Sequence, residues 1–316
     1  MRNDDTIRIG TRKSKLALWQ AYHIADLLER GGLKTEIVKI ETKGDKILDV
    51  TISKIGSKGV FTEEIEDKLQ SGEIDIAVHS AKDMQSELPE GFELIAFTER
   101  ERVNDVIVSR DKSISLADSS REIILGTSSN RRLATLNRYY PHIKTVPVRG
   151  NLQRRIEKMD EGQCDALLLA FAGVHRMEYD DMIAEILPLD TFTPAVGQGS
   201  VAVEAHANLD PARKERIREL TNHPETEICL LAERSFLKTM QGGCSVPVYA
   251  LASLTEDKEV KLTGGILSLD GKEEIKLEKH MAQNSPETLG NEVAYEILEK
   301  GGDRILTEIK KALGRI

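Results

Sequence analysis

The sequence predicts an α/β protein in three parts: two related lobes joined by two crossing segments, and a smaller α+β domain at the C-terminal end. Three observations predict it. Short apolar runs end repeatedly in polar Gly/Ser/Thr loops that open amphipathic helices, the strand–loop–helix order that builds largely parallel sheets. That order begins at Ile7 and restarts after residue 100. From about Asn222 it gives way to grouped strands flanked by helices. The predicted division is residues 1–99 with 200–218, residues 100–199, and residues 219–316. With 316 residues, the chain is long enough for two or three cores at roughly 100–200 residues each.

Taken in order, Ile7 to Ile9 reads as a buried strand. Gly10-Thr11-Arg12-Lys13-Ser14 follows it, and then Leu16, Leu18, Trp19, Tyr22, Ile24, Leu27 and Leu28 recur at near-helical spacing, with Ser14 placed to cap. A second strand, Thr35 to Glu41, runs into Thr42-Lys43-Gly44-Asp45. A helix from Thr62 to Gln70 is closed by Gly72, and strand Asp75 to His79 meets Ser80-Ala81-Lys82-Asp83. After residue 100, strand Ile123 to Leu125 leads to Gly126-Thr127-Ser128-Ser129-Asn130, and Arg131, Arg132, Leu133 and Leu136 open a helix. Leu125-Gly126-Thr127 echoes Ile9-Gly10-Thr11, and Met159 to Leu167 echoes Leu69 to Ala77, in the same order.

Two segments pass between these halves. Phe97 to Ser109 contains strand Asp105 to Val108, and Pro194 to Ser200 precedes strand Val201 to Glu204. Two α/β lobes joined twice make a hinged clamshell of the periplasmic-binding-protein type, in which ligand sits between the lobes. The third domain reads as helix Glu225 to Met240, the turn Gln241-Gly242-Gly243-Cys244, and strand-like segments Val246 to Leu254 and Glu259 to Leu269. An Asp270-Gly271 hairpin turn, strand Glu274 to His280 and a final helix opened by Ser285-Pro286 complete it.

Composition narrows the function. The chain carries 53 acidic and 44 basic side chains, a net charge of −9, with 13 aromatics, which argues against nucleic acid as a partner. The longest apolar run, Ala166 to Val174, is far below the ~20 residues of a membrane helix. Acid at Met1-Arg2-Asn3-Asp4-Asp5, where an export signal would be apolar, argues against export. Cys164, Cys229 and Cys244 form no CxxC pair and no disulfide framework, which suits a reducing cytoplasm. The seven histidines show no metal-ligand spacing.

The chemistry-bearing residues gather at strand ends. Arg12, Arg131, Arg132, Arg149, Arg154, Arg155 and Arg176 follow strands, and in open α/β sheets such loops line the ligand crevice. Guanidinium forks and helix N-termini suit carboxylates or phosphates. Singly, each arginine reads better as a solvated surface residue or as the partner of one of the 53 acids. Arg131 and Arg132 are the exception, because two cations at a helix start oppose the macrodipole by about 0.3–1 kcal/mol each, a cost an anion would remove. Lys82-Asp83 is an acid–base pair after a buried strand, or a surface ion pair. Lys54-Ile55-Gly56-Ser57-Lys58-Gly59 lacks phosphate-loop order and reads as a cationic lid. Cys244, between glycines and Ser245-Val246-Pro247, reads as an accessible thiol, whereas Cys164 and Cys229 read as core.

Seven segments in order resemble the hydroxymethylbilane synthase (porphobilinogen deaminase) family: Thr11-Arg12-Lys13-Ser14-Lys15-Leu16-Ala17, Lys58-Gly59-Val60-Phe61, His79-Ser80-Ala81-Lys82-Asp83, Gly126 to Arg132, Arg149-Gly150-Asn151, Pro194 to Gly199, and Gly242-Gly243-Cys244. The resemblance implies a transferase that joins four porphobilinogen molecules head to tail with loss of ammonia, and then releases hydroxymethylbilane by hydrolysis. It implies a dipyrromethane cofactor attached through a thioether at Cys244, and a monomer without metal. Lys82, Thr127, Ser129, Arg131 and Arg132, with Ser128 near them, would hold cofactor carboxylates. Arg12, Ser14, Arg149, Arg155 and Arg176 would bind substrate or the growing chain. Asp83 would be catalytic, accepting a pyrrole N–H as positive charge spreads onto the ring. Each pyrrole carries an acetate and a propionate, so many cationic donors are needed in one cleft. The chain departs from the family pattern at Gln85, Arg154, Gln241 and Ser245, and either Arg154 or Arg155 could face the cleft. Two other readings compete: a clamshell that only sequesters a small polycarboxylate, and a transferase using Cys244 as a transient nucleophile.

Overall fold

The computed structural model describes residues 6–42, 62–243 and 245–314. Strand β1 (Thr6–Arg12) leads through a short loop into helix α1 (Lys15–Arg30). Ser14 caps that helix, its hydroxyl accepting from the Ala17 N–H at 3.3 Å and satisfying one of the free first-turn donors. Helix α1 buries Gln20, Ala21, Ile24, Ala25 and Leu28 on one face. Then follow β2 (Lys34–Ile40), α2 (Glu63–Gln70), β3 (Ile76–Ser80) and β4 (Phe92–Phe97). Residues 98–104 cross to β5 (Asp105–Val108), which opens the second lobe: β6 (Ile124–Gly126), α3 (Asn130–Tyr139), β7 (Lys144–Val146), α4 (Leu152–Asp160), β8 (Ala166–Ala170), α5 (Phe171–Arg176) and β9 (Ile183–Ile186). Residues 187–200 cross back to β10 (Val201–His206) and α6 (Pro211–Thr221).

The two sheets have one plan. The first is ordered β2-β1-β3-β10-β4 and the second β7-β6-β8-β5-β9. In each, three parallel strands are followed by an antiparallel strand that arrives directly from a crossing. This has a consequence for function. Parallel strands present their carboxyl ends at one rim of the sheet, and an antiparallel neighbour presents its amino end at that same rim. Asp105 pairs with Ala170, and Val201 with Ser80. Crossing segments and strand-end loops therefore meet at the mouth between the lobes.

Each lobe has its own core. Ile7, Ile9, Ile24, Leu28, Ile76, Val78 and Val203 fill the first, and Ile107, Leu125, Leu136, Leu168 and Phe192 lie in the second. The third domain packs α7 (Pro224–Thr239) and α8 (Pro286–Ile297) on an antiparallel sheet of β11 (Val248–Leu254), β12 (Glu259–Leu267) and β13 (Glu274–Ala282). Gly264 makes that packing possible, because a Cβ there would lie 2.8 Å from the Phe236 ring. The expected single final helix is two. Gly301, at φ +104°, breaks it, and α9 (Asp303–Ala312) follows. The apolar run Ala166 to Val174 likewise divides into strand β8 and helix α5, so Arg176 sits on a helix rather than in a strand-end loop.

The third domain is bolted to both crossings. Glu233 of α7, fully buried, accepts from both terminal nitrogens of Arg100 at 2.5 and 3.2 Å, from Gly197 N–H at 2.8 Å and from Ala252 N–H at 2.8 Å. On the second lobe, Glu274 of β13 accepts from the Tyr139 and Tyr249 hydroxyls at 2.5 and 2.6 Å and pairs with Arg138 at 2.9 Å.

Candidate functional site

The site is built where the rims of the two sheets face each other. Strand β3 ends at Ser80, and one tight turn, Ala81–Asp83, sets Lys82 and Asp83 side by side. The return crossing lies directly against this turn because residue 197 is glycine. Its φ is +75°, and a Cβ would lie 2.8 Å from the Ala81 carbonyl carbon and 2.9 Å from the Lys82 nitrogen. From the other lobe, Thr127, Ser128 and Ser129 lead β6 into α3. The Ser129 hydroxyl accepts from the Arg132 N–H at 3.5 Å, and the Ser128 hydroxyl donates to the Val148 carbonyl at 3.1 Å.

Arg131 and Arg132 are both buried, and both donate to Asp105 at 2.7 Å. Arg131 also reaches the Thr193 carbonyl at 2.9 Å, and Arg132 the Leu168 carbonyl at 2.8 Å. Gln198 adds a third donor to Asp105 at 3.0 Å. Burial alone would raise the Asp105 pKa, but the two guanidinium groups outweigh it and hold the carboxyl well below its usual range. The anion that the paired helix-start cations call for is thus supplied in part by the protein, and the arginine pair carries one net positive charge rather than two. One donor is left over: Arg132 Nε is buried with no partner among the described residues. An unsatisfied buried donor costs about 1–3 kcal/mol, so the pocket is shaped to receive an acceptor. That donor set fits a group bearing carboxylates.

Lys82 and Arg155 join the same electrostatic neighbourhood. Burial pushes the Lys82 ammonium down to about 8, against the attraction of Asp83 and with repulsion from Arg132 and Arg131. Burial, and then repulsion from Arg132, pushes Arg155 down to about 10, with Asp83 opposing and Arg149 adding to the repulsion. Asp83 itself is exposed. Arg155 is half-buried, its Nε on the Gly150 carbonyl at 2.8 Å, whereas Arg154 is exposed and held by Glu157 and Glu161. Of these two neighbours, Arg155 is the one near Asp83.

Arg176 donates to the Gly199 carbonyl at 2.7 Å, and its guanidinium lies 5.0 Å from the centre of the Trp19 ring. With Gln20, Ser80, Lys82 and Ser200 it lines a small cavity of about 30 Å³. Ser14, beside Lys13 and Lys15, faces Asn151 and Gln153 across a wider opening of about 510 Å³. Arg12 ends β1, and Arg149 is half-buried just after β7. His79 turns away, bonding Glu204 at 3.0 Å inside the first lobe. Cys164 and Cys229 are buried, and burial pushes both thiols up to about 11, as inert core residues require. Cys244, the Lys54 to Gly59 loop and the Lys58 to Phe61 segment lie outside the described residues. Among those described, no group of side chains could hold a metal ion, and no helix is long and apolar enough to cross a membrane.

Asp105, Gln198 and Gln20 are not evident from strand-end reasoning. Asp105 and Gln198 enter the cleft on crossing segments, at the amino end of an antiparallel strand and just before one. The one local signal is an acid opening the apolar strand Asp105-Val106-Ile107-Val108, since a carboxylate there must find cations or stay unpaired in the core.

Comparison with known proteins agrees with these features. The family described as "Porphobilinogen deaminase, dipyromethane cofactor binding domain" matches residues 7–214, and "Porphobilinogen deaminase, C-terminal domain" matches residues 227–299. A porphobilinogen deaminase of Desulfosudis oleivorans is 54% identical over 96% of this chain and 98% of its own length. That of Cytophaga hutchinsonii is 54% identical over 98% of this chain and 99% of its own, and that of Syntrophomonas wolfei 47% over 98% and 100%. Among solved structures, the methionine-binding protein MetQ shows a looser likeness, with TM-score 0.44 and 9% identity over 69% of this chain and 90% of that one.

Proposed function

The chain belongs to the porphobilinogen deaminase family, and from that premise we propose how its own residues carry out hydroxymethylbilane synthesis, the stepwise condensation of four porphobilinogen molecules with release of ammonia and final hydrolysis. The observation that carries the reading is one cationic neighbourhood in which Lys82 and Arg155 lie by the exposed carboxylate of Asp83 and Arg131 and Arg132 lie by Lys82 and Asp105, with Arg132 Nε left unpartnered.

Cys244 would hold dipyrromethane, which when bound would supply the pyrrole from which the chain grows. Lys82, Thr127, Ser129, Arg131 and Arg132 would hold its carboxylates, with Ser128 fixing their loop through the Val148 carbonyl. Arg12, Ser14, Arg149, Arg155 and Arg176 bind the acetate and propionate of incoming substrate, bidentate guanidinium groups being suited to planar carboxylates. Asp83 accepts a pyrrole N–H and offsets the positive charge that develops as ammonia leaves the aminomethyl carbon. A group preorganised for developing charge contributes on the order of 10²–10³ in turnover. Arg131 and Arg132, half-neutralised by Asp105, are held rigid without losing all their charge.

The three parts are residues 1–99 with 200–218, residues 100–199, and residues 219–316. We assign the protein to a reducing cytoplasm, a reading supported by the two described cysteines being buried free thiols, and, from the family resemblance alone, assign it as a monomer. The deciding measurement is the intact mass of the purified protein. A permanent adduct of two pyrrole units, lost in Cys244→Ser, is expected. An unmodified protein with full activity would overturn the assignment of Cys244, and one that binds porphobilinogen without consuming it would favour a sequestering clamshell.

A further inference from the structure

Helix α1 of the first lobe and helix α5 of the second touch where the lobes meet. A Cβ added at Gly173 of α5 would lie 3.6 Å from Leu16 Cδ2 of α1, an ordinary contact distance. Three residues further along each helix, Trp19 meets Arg176: the guanidinium carbon lies over the indole ring, 5.0 Å from its centre. Trp19 is braced in turn by His23, one helical turn on, whose imidazole stacks on it with 5.3 Å between ring centres and 11° between planes. Burial, and then the charge of Arg176, push the His23 imidazole below its usual range, with Asp26 opposing. The brace is therefore neutral at pH 7 and adds no second cation.

Arg176 differs from Arg131 and Arg132 in what holds it. Those two share the carboxylate of Asp105. Among the described residues no carboxylate forms an ion pair with Arg176; burial pushes its pKa down, and Glu101 attracts it from further away. Its guanidinium gives one hydrogen bond to the Gly199 carbonyl at 2.7 Å and lines a small cavity together with Lys82. A carboxylate partner would occupy the N–H donors that a ligand carboxylate needs and would cancel the charge. An aromatic ring attracts a cation through its quadrupole and leaves that charge in place.

We propose that Trp19 is a positioning residue for Arg176: the indole of the first lobe holds the guanidinium of the second at the cleft with its charge intact, ready to receive a carboxylate of porphobilinogen. This rests on the reading of Arg176 as a substrate-binding residue. The ring and the arginine come from different lobes, so the contact also fixes the arrangement of the lobes in which the arginine is presented.

The test measures porphobilinogen consumption by the holoenzyme in the parent, Trp19→Phe, Trp19→Leu, Arg176→Met and the double variant Trp19→Leu with Arg176→Met. Phenylalanine keeps a smaller π face, and leucine keeps an apolar side chain without one. KM is expected to rise about threefold in Trp19→Phe and about tenfold in Trp19→Leu, the scale of a cation–π contact, with kcat unchanged, as loss of uniform binding requires. Once Arg176 is Met, Trp19→Leu should raise KM no further. Trp19 is the chain's single tryptophan, so its emission reads the contact directly, and Arg176→Met is expected to shift it. An unchanged KM in Trp19→Leu, an effect of Trp19→Leu that persists in full without Arg176, or identical emission from the parent and Arg176→Met overturns the proposal. Arg176→Met with the parent's KM overturns the substrate-binding reading of Arg176 instead.

Discussion

Asp105 shows how much one side chain can decide. It is fully buried, accepts from two arginines and a glutamine, and sits where the crossing strand enters the rim. Its folded pKa lies below its unfolded value, so the stability it contributes is present above about pH 4 and is lost as pH falls below that. Replacing it with Asn leaves two buried guanidinium groups without their anion. Asp105→Asn is expected to cost about 3–5 kcal/mol, read from urea unfolding at pH 7, with a smaller difference from the parent at pH 3. Asp83 is the opposite case, exposed and without a structural burden. Asp83→Asn should leave the urea midpoint unchanged while turnover falls by about 10²-fold or more; unimpaired turnover would remove it from the mechanism. Lys82 gives a pH signature. Its ammonium is held down to about 8 by burial, so in the folded apoprotein its charge disappears as pH climbs from about 8, and the penalty for burying that charge disappears with it. Cofactor loading should weaken over this range through loss of a carboxylate-binding charge. In Lys82→Arg, where the guanidinium stays charged, that decline should flatten, and identical pH profiles for the two proteins would count against the assignment.

At the scale of elements, the two crossings act as one unit because backbone meets backbone. Glu101 N–H donates to the Gly199 carbonyl at 3.1 Å, and the same carbonyl accepts from Arg176 at 2.7 Å. Gly199 has φ +97°, and a Cβ there would lie 2.4 Å from the Glu101 carbonyl oxygen. Gly199→Ala must therefore separate the crossings or strain the backbone, at about 1–3 kcal/mol. A lower Tm together with reduced turnover is expected, since the residue-199 carbonyl that accepts from Arg176 is displaced; an unchanged melt would show that the crossings tolerate separation. Elements with a cap and a clear period were legible in the sequence. Helix α1 with its Ser14 cap, the start of helix α3 and strand β5 stand where local residues place them, whereas the Ser129 cap of α3 was not read from the sequence. The strand-to-helix break at Ala170 was not legible, because Ala166 to Val174 is apolar throughout and either period fits it. The kink at Gly301 was hidden by apolar spacing on both sides.

For the whole molecule, the third domain is the element that holds the hinge. Glu233 takes donors from both crossings and from β11, so it joins three segments at one buried carboxylate. Removing its cation leaves that carboxylate with backbone donors alone. Arg100→Ala is expected to lose about 3–5 kcal/mol and to expose the joint between the third domain and the crossings to limited proteolysis; unchanged resistance would mean that Gly197 and Ala252 suffice. An acidic chain with a cationic cleft also follows from the whole rather than from the count: the net charge is −9, yet the cleft gathers Lys82, Arg131, Arg132 and Arg155 about two carboxylates. By itself the sequence determined the order of strands, loops and helices, the caps, and the residue types at the strand-end loops, because each depends on neighbours a few positions away. Only the tertiary structure decided which charges share a space. Asp105 meets Arg131 and Arg132 across 26 and 27 residues, Arg100 meets Glu233 across 133, and Asn130 meets Ser245 across 115. Those pairings follow from antiparallel strands entering the rim in reverse and from a third domain packed against both crossings, and no local periodicity carries that information.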